Sequence, residues 1–258
     1  MAGSGAGHDV SGKGSIFPPS GFKKGATIVN EILSDPLVAS ADLLDQREPA
    51  RVLHVGCGAY AIGKLPRIFR AGWRETRLDI DPEVLPDFVA SITDMRVISD
   101  GAFDAVFSSH NIEHLYPHEV PLALGEMHRV LKPAGFALIV LPDLQEVARH
   151  VAEGHLEDAL YLSPMGPITA IDVMFGHRPS LASGNAFMAH RTGFTGETLG
   201  RALVNAGFAA AIVQRDVAAF CLTAVAFNEH PDGDQIARAQ ALMLPLHDAT
   251  AVLYSGAR

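Results

Sequence analysis

Short apolar blocks alternate along the chain with stretches that have helical spacing. The blocks RVLHV (51–55), FDAVFSS (103–109) and FALIVLP (136–142) are compact apolar runs typical of buried strands. A helix is predicted over about 118–131, between the second and third of these runs. Strands that alternate with helices in this way predict a mainly parallel sheet with helices on both faces.

The pattern changes in the last third of the chain. From 153 to 192 the periodicity fades among several Gly, Pro, His and Arg residues. A long irregular stretch inside a compact domain is more often functional than filler, so we expect a substrate-covering insertion at about 150–195. Apolar runs at 208–213 and 218–227 then predict a final pair of strands. The pattern alone gives five or six strands.

Three segments follow from this reading. Residues 1–20 are rich in Gly and Ser, and we expect a flexible tail there. Residues 21–228 form one α/β domain, which opens with two short helices within 26–46. Residues 229–258 are predicted to be a helical tail, with a helix over 233–245.

Composition narrows the classes of function. The chain of 258 residues has a formal net charge of −9, which disfavours binding to nucleic acid. The apolar runs are too short to cross a bilayer, so no membrane association is expected. Cys57 and Cys221 do not form a dense cysteine framework, and a cytoplasmic location is therefore the expectation.

Two motifs fall at the predicted carboxyl ends of strands, where parallel sheets bind ligands. Gly56 and Gly58 follow the first strand and allow close approach of the backbone to a ligand. Asp79 and Asp81 end the second strand, where a carboxylate can accept both hydroxyls of an adenosine ribose. Sites for NAD and for S-adenosylmethionine (SAM) share this pairing.

Three further segments, SITDM (91–95), FDAVFSSHNIEHL (103–115) and RVLKPAGFALIVLPD (129–143), follow in order and at close spacing. With them the sequence resembles the class I SAM-dependent methyltransferases, in particular the bacterial, methyltransferase type 11-like group with small-molecule acceptors. The resemblance implies a Rossmann-like α/β fold with a mainly parallel seven-stranded sheet. It also implies methyl transfer from SAM, with S-adenosylhomocysteine as product, to a small polar metabolite such as a sugar.

The resemblance also assigns the cofactor residues. Asp79 would bond the ribose hydroxyls, Asp94 would receive the adenine amino group, and Met95 would cover the adenine ring. Ser109 and His110 would lie near the methyl-donor end. The complete predicted cofactor set is His54, Gly56, Cys57, Gly58, Asp79, Ile80, Asp94, Met95 and Ser109.

Two departures keep other functions open. Many members have an acidic residue where this chain has His54 and a third glycine where it has Tyr60. A catalytically silent SAM-binding protein is therefore one alternative. A nicotinamide-dependent oxidoreductase is another, because GxGxxA through Ala61 together with Asp79 also fits the dinucleotide fingerprint.

Candidate acceptor-binding residues lie after the fourth strand and in the insertion. His110 is the candidate general base, because the ordinary pKa of histidine suits that role; capping the next helix or contacting SAM is an equal alternative. The planar guanidinium group of arginine binds carboxylates and phosphates well, so an anionic acceptor is one hypothesis. The other is that the arginines of the insertion pair with the protein's own carboxylates. The predicted substrate-binding residues are His114, His177, Arg178, His190 and Arg191.

Histidines spaced four residues apart raise the hypothesis of a metal site. His110, His114 and His118 would align on a continuous helix, but Pro117 and Pro121 interrupt such a helix. No metal ligand is therefore predicted.

Overall fold

A computed structural model of the protein describes residues 49–59, 65–243 and 250–255. The predicted tail over 1–20, the helices predicted within 26–46, Tyr60 and Ala61 lie outside these residues. The strands are β1 (Ala50–Val55), β2 (Trp73–Asp79), β3 (Phe88–Val89), β4 (Phe103–Ser109), β5 (Leu131–Pro142), β6 (Ala159–Ser163), β7 (Gly166–Thr169), β8 (Ala210–Asp216), β9 (Cys221–Phe227) and β10 (Thr250–Ser255). The α-helices are α1 (Val120–Val130), α2 (Leu144–Ala152), α3 (Ala170–Phe175), α4 (Arg178–Ala182), α5 (Gly196–Asn205) and α6 (Gly233–Met243).

The main sheet has the strand order β10-β8-β9-β5-β4-β1-β2-β3. Strands β5, β4, β1, β2 and β3 are parallel to one another, whereas β9 pairs antiparallel with β5, β8 with β9 and β10 with β8. The chain runs outward from β1 in one direction through β2 and β3, and in the other through β4 and β5. The carboxyl ends of β1 and β4 therefore form a topological switch point, where sheets of this kind bind ligands.

Both faces of the sheet are buried, as the predicted α/β architecture requires. In β5, Ala137, Ile139 and Leu141 belong to one core cluster, while Leu138 and Val140 belong to the other. Helices α1 and α5 contribute to the first cluster and α6 to the second. The Rossmann-like fold with helices on both faces is thus confirmed.

The count of strands differs from the seven that the resemblance implied, since the main sheet of the described residues has eight. The additional edge strand β10 pairs antiparallel with β8. It corrects the prediction of a helical tail, because only the 233–243 part of that tail is described as a helix. Its sequence TAVLYS is rich in β-branched and aromatic residues, and Tyr254 packs against Gly200 of α5.

A second correction concerns the segment before 136–142, where Lys132, Pro133 and Gly135 in the sequence predict a turn. These residues belong to β5, with an irregularity in the register against β4. The paired stretch that follows, from Phe136 onward, agrees with the predicted strand.

The predicted insertion has more regular structure than its sequence suggests. It contains the β6–β7 hairpin and helices α3 and α4, and it packs on α2 around Val147, Ala170 and Val173. Backbone N–H groups of Arg191 and Thr192 donate to the Glu113 carbonyl, at 2.9 and 3.2 Å. These bonds hold the end of the insertion against the segment that follows β4.

The helices of the described residues are all too short or too polar to span a membrane.

Candidate functional site

The turn after β1 has the conformation that its glycines permit. Gly56 and Gly58 have positive φ angles of 62° and 58°, which residues with a Cβ rarely adopt. A Cβ on Gly56 would lie 2.3 Å from the side chain of Asn111. The turn is thus closely packed against the segment that follows β4, at the switch point of the sheet.

This packing makes Gly56→Ala a direct test of the turn. The variant would combine a strained backbone, costing about 1–3 kcal/mol, with a clash against Asn111, so we expect SAM binding to weaken about tenfold or more. Calorimetric titration with SAM measures the effect. As a control, Gly125→Ala in α1 meets no atom within 4 Å and should leave SAM binding unchanged. Equal SAM affinity of Gly56→Ala and the natural protein would show that the turn does not contact the cofactor.

Asp79 lies beside this turn, as the sequence analysis expected. Its carboxylate accepts the Gly58 N–H at 2.7 Å and the Asp81 N–H at 3.0 Å. Ile80, the next residue, is half exposed and offers an apolar surface at the same edge. Asp81 instead caps a 3₁₀ turn by accepting the Glu83 N–H, so it is Asp79 that faces the glycine turn.

Two predicted cofactor residues near the turn are buried. The His54 ring lies within the sheet, with Nδ1 2.8 Å from Glu75 Oε1 and the ring packed on Phe107. Cys57 is buried as well, and its N–H donates to the Leu78 carbonyl at 3.2 Å. Both side chains thus support the turn from the interior.

Asp94 and Met95 differ in accessibility. The Asp94 carboxylate is exposed and accepts bonds from Arg96 Nε and Nη2 at 2.7 and 2.6 Å. The Arg96 guanidinium holds the pKa of Asp94 below its usual range. The Met95 side chain is fully buried in the first core cluster, and its N–H donates to Glu126 of α1. Asp94 therefore remains accessible to a ligand, whereas Met95 anchors the loop.

The segment after β4 brings several polar groups to the same edge. Ser109 ends the strand, and His110 follows with a positive φ of 48°, an uncommon conformation for a residue other than glycine. The His110 N–H donates to the Val140 carbonyl at 2.8 Å, which fixes the turn against β5. The imidazole is exposed, and its Nδ1 lies 3.4 Å from Glu113 Oε1.

Glu113 was not predicted as a site residue. Its side chain is only 2% exposed, and neither carboxylate oxygen has a hydrogen-bond partner. Burial acts to raise the pKa of the Glu113 carboxyl, but the nearby His110 imidazole and two further imidazoles outweigh it, so the pKa lies below its usual range. A buried carboxylate whose oxygens accept no hydrogen bond therefore lies beside the His110 imidazole.

A cavity of about 310 Å³ adjoins Glu113. It lies between the end of β5 and the insertion, and its walls are mostly apolar. The lining residues are Glu113, Leu141, Pro142, Leu144, Val173, Met174, Phe175, His190, Arg191, Thr192, Gly193 and Phe194.

Three of the five predicted substrate-binding residues lie at or beside this cavity. His190 and Arg191 line it, and the His114 ring contacts the His190 ring edge to face, with 4.7 Å between centroids. The Arg191 guanidinium donates to the His114 carbonyl at 2.6 Å and lies over the Tyr116 ring. Burial lowers the pKa of the His190 imidazole below its usual value.

The other two lie away from the lining. His177 is buried, with Nδ1 2.7 Å from the Ser180 hydroxyl. Arg178 donates to Asp172 at 2.8 Å and to Glu157 at 3.0 Å. Arg178 therefore pairs with the protein's own carboxylates, which was the alternative to binding an anionic acceptor.

Asn111 and Glu113 are the site residues that sequence reasoning missed. Both stand in the HNIEHL segment, where the predicted site residues are the histidines His110 and His114. Asn111 Nδ2 is buried beside Gly56 without a hydrogen-bond partner. The available signal was an amide and a carboxylate directly after the carboxyl end of a strand, where sheets of this kind bind ligands.

Comparison with known proteins identifies the kind of domain that the chain contains. Residues 53–139 match a family model described as a methyltransferase domain. No curated protein sequence matches the chain. Among similar solved structures, the PH0226 protein of Pyrococcus horikoshii is 18% identical, with a TM-score of 0.51 over 78% of this chain and 90% of that one.

Two further similar structures have methyltransferase names. The 1,6-didemethyltoxoflavin-N1-methyltransferase of Burkholderia thailandensis, with bound 1,6-didemethyltoxoflavin and S-adenosylhomocysteine, is 17% identical over 80% of this chain and 79% of that one, with a TM-score of 0.47. A SAM-dependent methyltransferase of Methanosarcina mazei is 18% identical over 75% of this chain and 99% of that one, with a TM-score of 0.48.

The sheet order, with its ligand edge at the ends of β1, β2 and β4, defines a Rossmann-like α/β protein. The matching domain model covers the glycine turn, Asp79, Asp94 and the β4 segment. The Rossmann-like fold and the methyltransferase domain matched over residues 53–139 together support a class I SAM-dependent methyltransferase, an enzyme whose methyl donor is SAM.

Proposed function

We propose that this enzyme transfers the methyl group of SAM to a small polar metabolite, such as a sugar, held in the cavity between β5 and the insertion. The observation that carries the proposal is the position of this cavity. It lies beside the segment that follows β4, next to the ligand edge of the sheet. Its volume of about 310 Å³ is in the range of small-molecule sites. A polymer such as nucleic acid is a poor fit, since the chain has a net charge of −9.

The ligand edge of the sheet offers groups that suit SAM. Asp79 would accept the ribose hydroxyls, Ile80 would pack on the adenine ring, and Asp94 would accept the adenine amino group after releasing Arg96. The glycine turn would approach the methionine end, where Asn111 offers an amide donor that has no partner of its own. When bound, SAM supplies a methyl group that its sulfonium already activates, so the protein's main task is alignment in a site from which water is excluded.

The cavity favours an acceptor that donates hydrogen bonds over an anionic one. Its buried carboxylate, Glu113, has two unpartnered oxygens and would repel an anion. The lining cation, Arg191, already donates to backbone carbonyls. A hydroxyl or amine that reaches Glu113 would pair with this buried charge. Apolar walls from Leu141, Val173 and Phe194 would pack on its carbon skeleton.

His110 is the residue that we propose as general base. Its imidazole is exposed at the end of β4, and the Glu113 carboxylate at 3.4 Å would stabilise the imidazolium that forms when His110 takes a proton from the acceptor. An acceptor hydroxyl needs such a base, because it is protonated at neutral pH.

Replacement of His110 by alanine should lower kcat by about 10²–10⁴-fold and leave SAM affinity unchanged. The assay follows release of S-adenosylhomocysteine from SAM, with a panel of sugars and small hydroxyl- or amine-bearing metabolites as acceptors. His118→Ala is the matched control, because His118 is exposed and stacks on Tyr116 away from the cavity lining. Undiminished kcat in His110→Ala would exclude the general-base role. Tight SAM binding without turnover on any acceptor would favour a catalytically silent SAM-binding protein.

A further inference from the structure

Three potential metal ligands meet at the edge of the acceptor cavity. Glu113 and His114 stand in the 3₁₀ turn after β4, and His190 comes from the end of the insertion. One ligand atom from each residue lies within 4.8 Å of the other two. This set differs from the His110, His114 and His118 series considered from the sequence, since the described structure replaces a continuous helix there with a short turn.

The state of Glu113 is an independent indication that a cation belongs here. Its carboxylate is 2% exposed and neither oxygen accepts a hydrogen bond. Burying a carboxylate that accepts no hydrogen bond is unfavourable, and buried carboxylates in proteins are normally paired or coordinate a metal. A cation between Glu113 and the two imidazoles would remove this cost.

Each of the two histidines makes the hydrogen bond that is usual for a metal-bound histidine. His114 Nδ1 lies 3.1 Å from the Ala189 carbonyl and His190 Nδ1 lies 2.6 Å from the Val173 carbonyl. A carbonyl only accepts, so each Nδ1 carries the proton and each Nε2 keeps its lone pair. Such hydrogen bonds from Nδ1 to a backbone carbonyl are the usual second contact of a metal-bound histidine.

We propose that Glu113, His114 and His190 bind one divalent transition-metal ion beside the acceptor cavity. Two imidazoles and one carboxylate suit ions such as Zn²⁺, Co²⁺, Mn²⁺ or Fe²⁺, whereas Mg²⁺ and Ca²⁺ prefer oxygen ligands alone. Three protein ligands leave a coordination position open. Because Glu113 and His190 both line the cavity, that position would receive an oxygen or nitrogen of the acceptor and lower its pKa. This last role rests on the proposed function, whereas the metal site itself does not.

The experiment uses the full chain after removal of metals by a chelator and dialysis. We expect titration with Co²⁺ to give a visible d–d absorption that saturates at one ion per chain and is displaced by Zn²⁺. Glu113→Gln and His190→Ala should each weaken Co²⁺ binding at least about tenfold, because loss of even a hydrogen bond to a metal ligand typically has that effect. The matched control His118→Ala, which removes an exposed histidine of the same segment, should bind Co²⁺ like the natural protein.

Two results would overturn the metal site. One is the absence of stoichiometric Co²⁺ or Zn²⁺ binding by the natural protein, and the other is equal Co²⁺ affinity in Glu113→Gln, His190→Ala and His118→Ala. Circular dichroism and SAM titration of each variant show that the fold is retained. Metal binding without SAM binding would support the metal site and contradict the proposed methyl transfer. SAM binding without metal binding would contradict the metal site and leave the proposed methyl transfer supported.

Discussion

Replacement of Asp79 by alanine is expected to weaken SAM binding at least about a hundredfold. A carboxylate at the end of β2 would accept both ribose hydroxyls, and hydrogen bonds to a charged group contribute about 1.5–3 kcal/mol each. The change also removes the acceptor of the Gly58 N–H, which at present is bonded at 2.7 Å, and so loosens the glycine turn. Calorimetric titration of the variant with SAM measures the loss.

Two companion variants separate these effects. Asp79→Asn keeps one acceptor oxygen for the Gly58 N–H but removes the charge, and its SAM affinity should be intermediate. Asp158→Ala is the control, because Asp158 is exposed and its recorded partner is His155 in the insertion. SAM affinity of Asp79→Ala equal to that of Asp158→Ala would mean that Asp79 does not bind the ribose.

Asp143→Ala should be the most destabilising of these substitutions, lowering the free energy of unfolding by about 3–5 kcal/mol. Asp143 is fully buried at the end of β5 and its Oδ2 accepts a bond from Arg215 Nε at 2.6 Å. Its Oδ1 accepts the Gln145 N–H at 3.0 Å and thereby caps α2. The alanine variant leaves the Arg215 charge and the first turn of α2 without this partner.

Thermal and urea unfolding measure this loss. At about 2–4 °C per kcal/mol for a chain of this size, Tm should fall by roughly 10 °C. Asp158→Ala, which removes an exposed ion pair, should change the free energy of unfolding by less than about 1 kcal/mol. If the Tm of Asp143→Ala lay within about 2 °C of the Tm of Asp158→Ala, the structural role of the Asp143 carboxylate would be contradicted.

The sequence predicts the parts of the fold that local pattern determines. Strands β1, β4 and β5 are parallel and buried on both faces, so they appear as continuous apolar runs, and α1 follows from its helical spacing. The sequence also predicts the position of the ligand edge, because the glycine turn and Asp79 stand at the ends of strands. Their contact, through the Gly58 N–H, confirms the predicted proximity.

The parts that sequence reasoning missed depend on contacts between distant segments. The Glu113 segment is held by the insertion, whose Arg191 and Thr192 N–H groups donate to the Glu113 carbonyl from a distant part of the sequence. The pairing of Arg178 with Asp172 likewise appears only once α3 and α4 are packed. Edge strand β10 is short and follows a helix, and only its pairing with β8 distinguishes it from a tail.

The central claim is that the ligand edge of the sheet binds SAM. Isothermal titration of the purified protein with SAM, S-adenosylhomocysteine and NAD tests it most directly. We expect SAM and S-adenosylhomocysteine both to bind at one site per chain and NAD not to bind. Binding of NAD alone, or of none of the three, would contradict it.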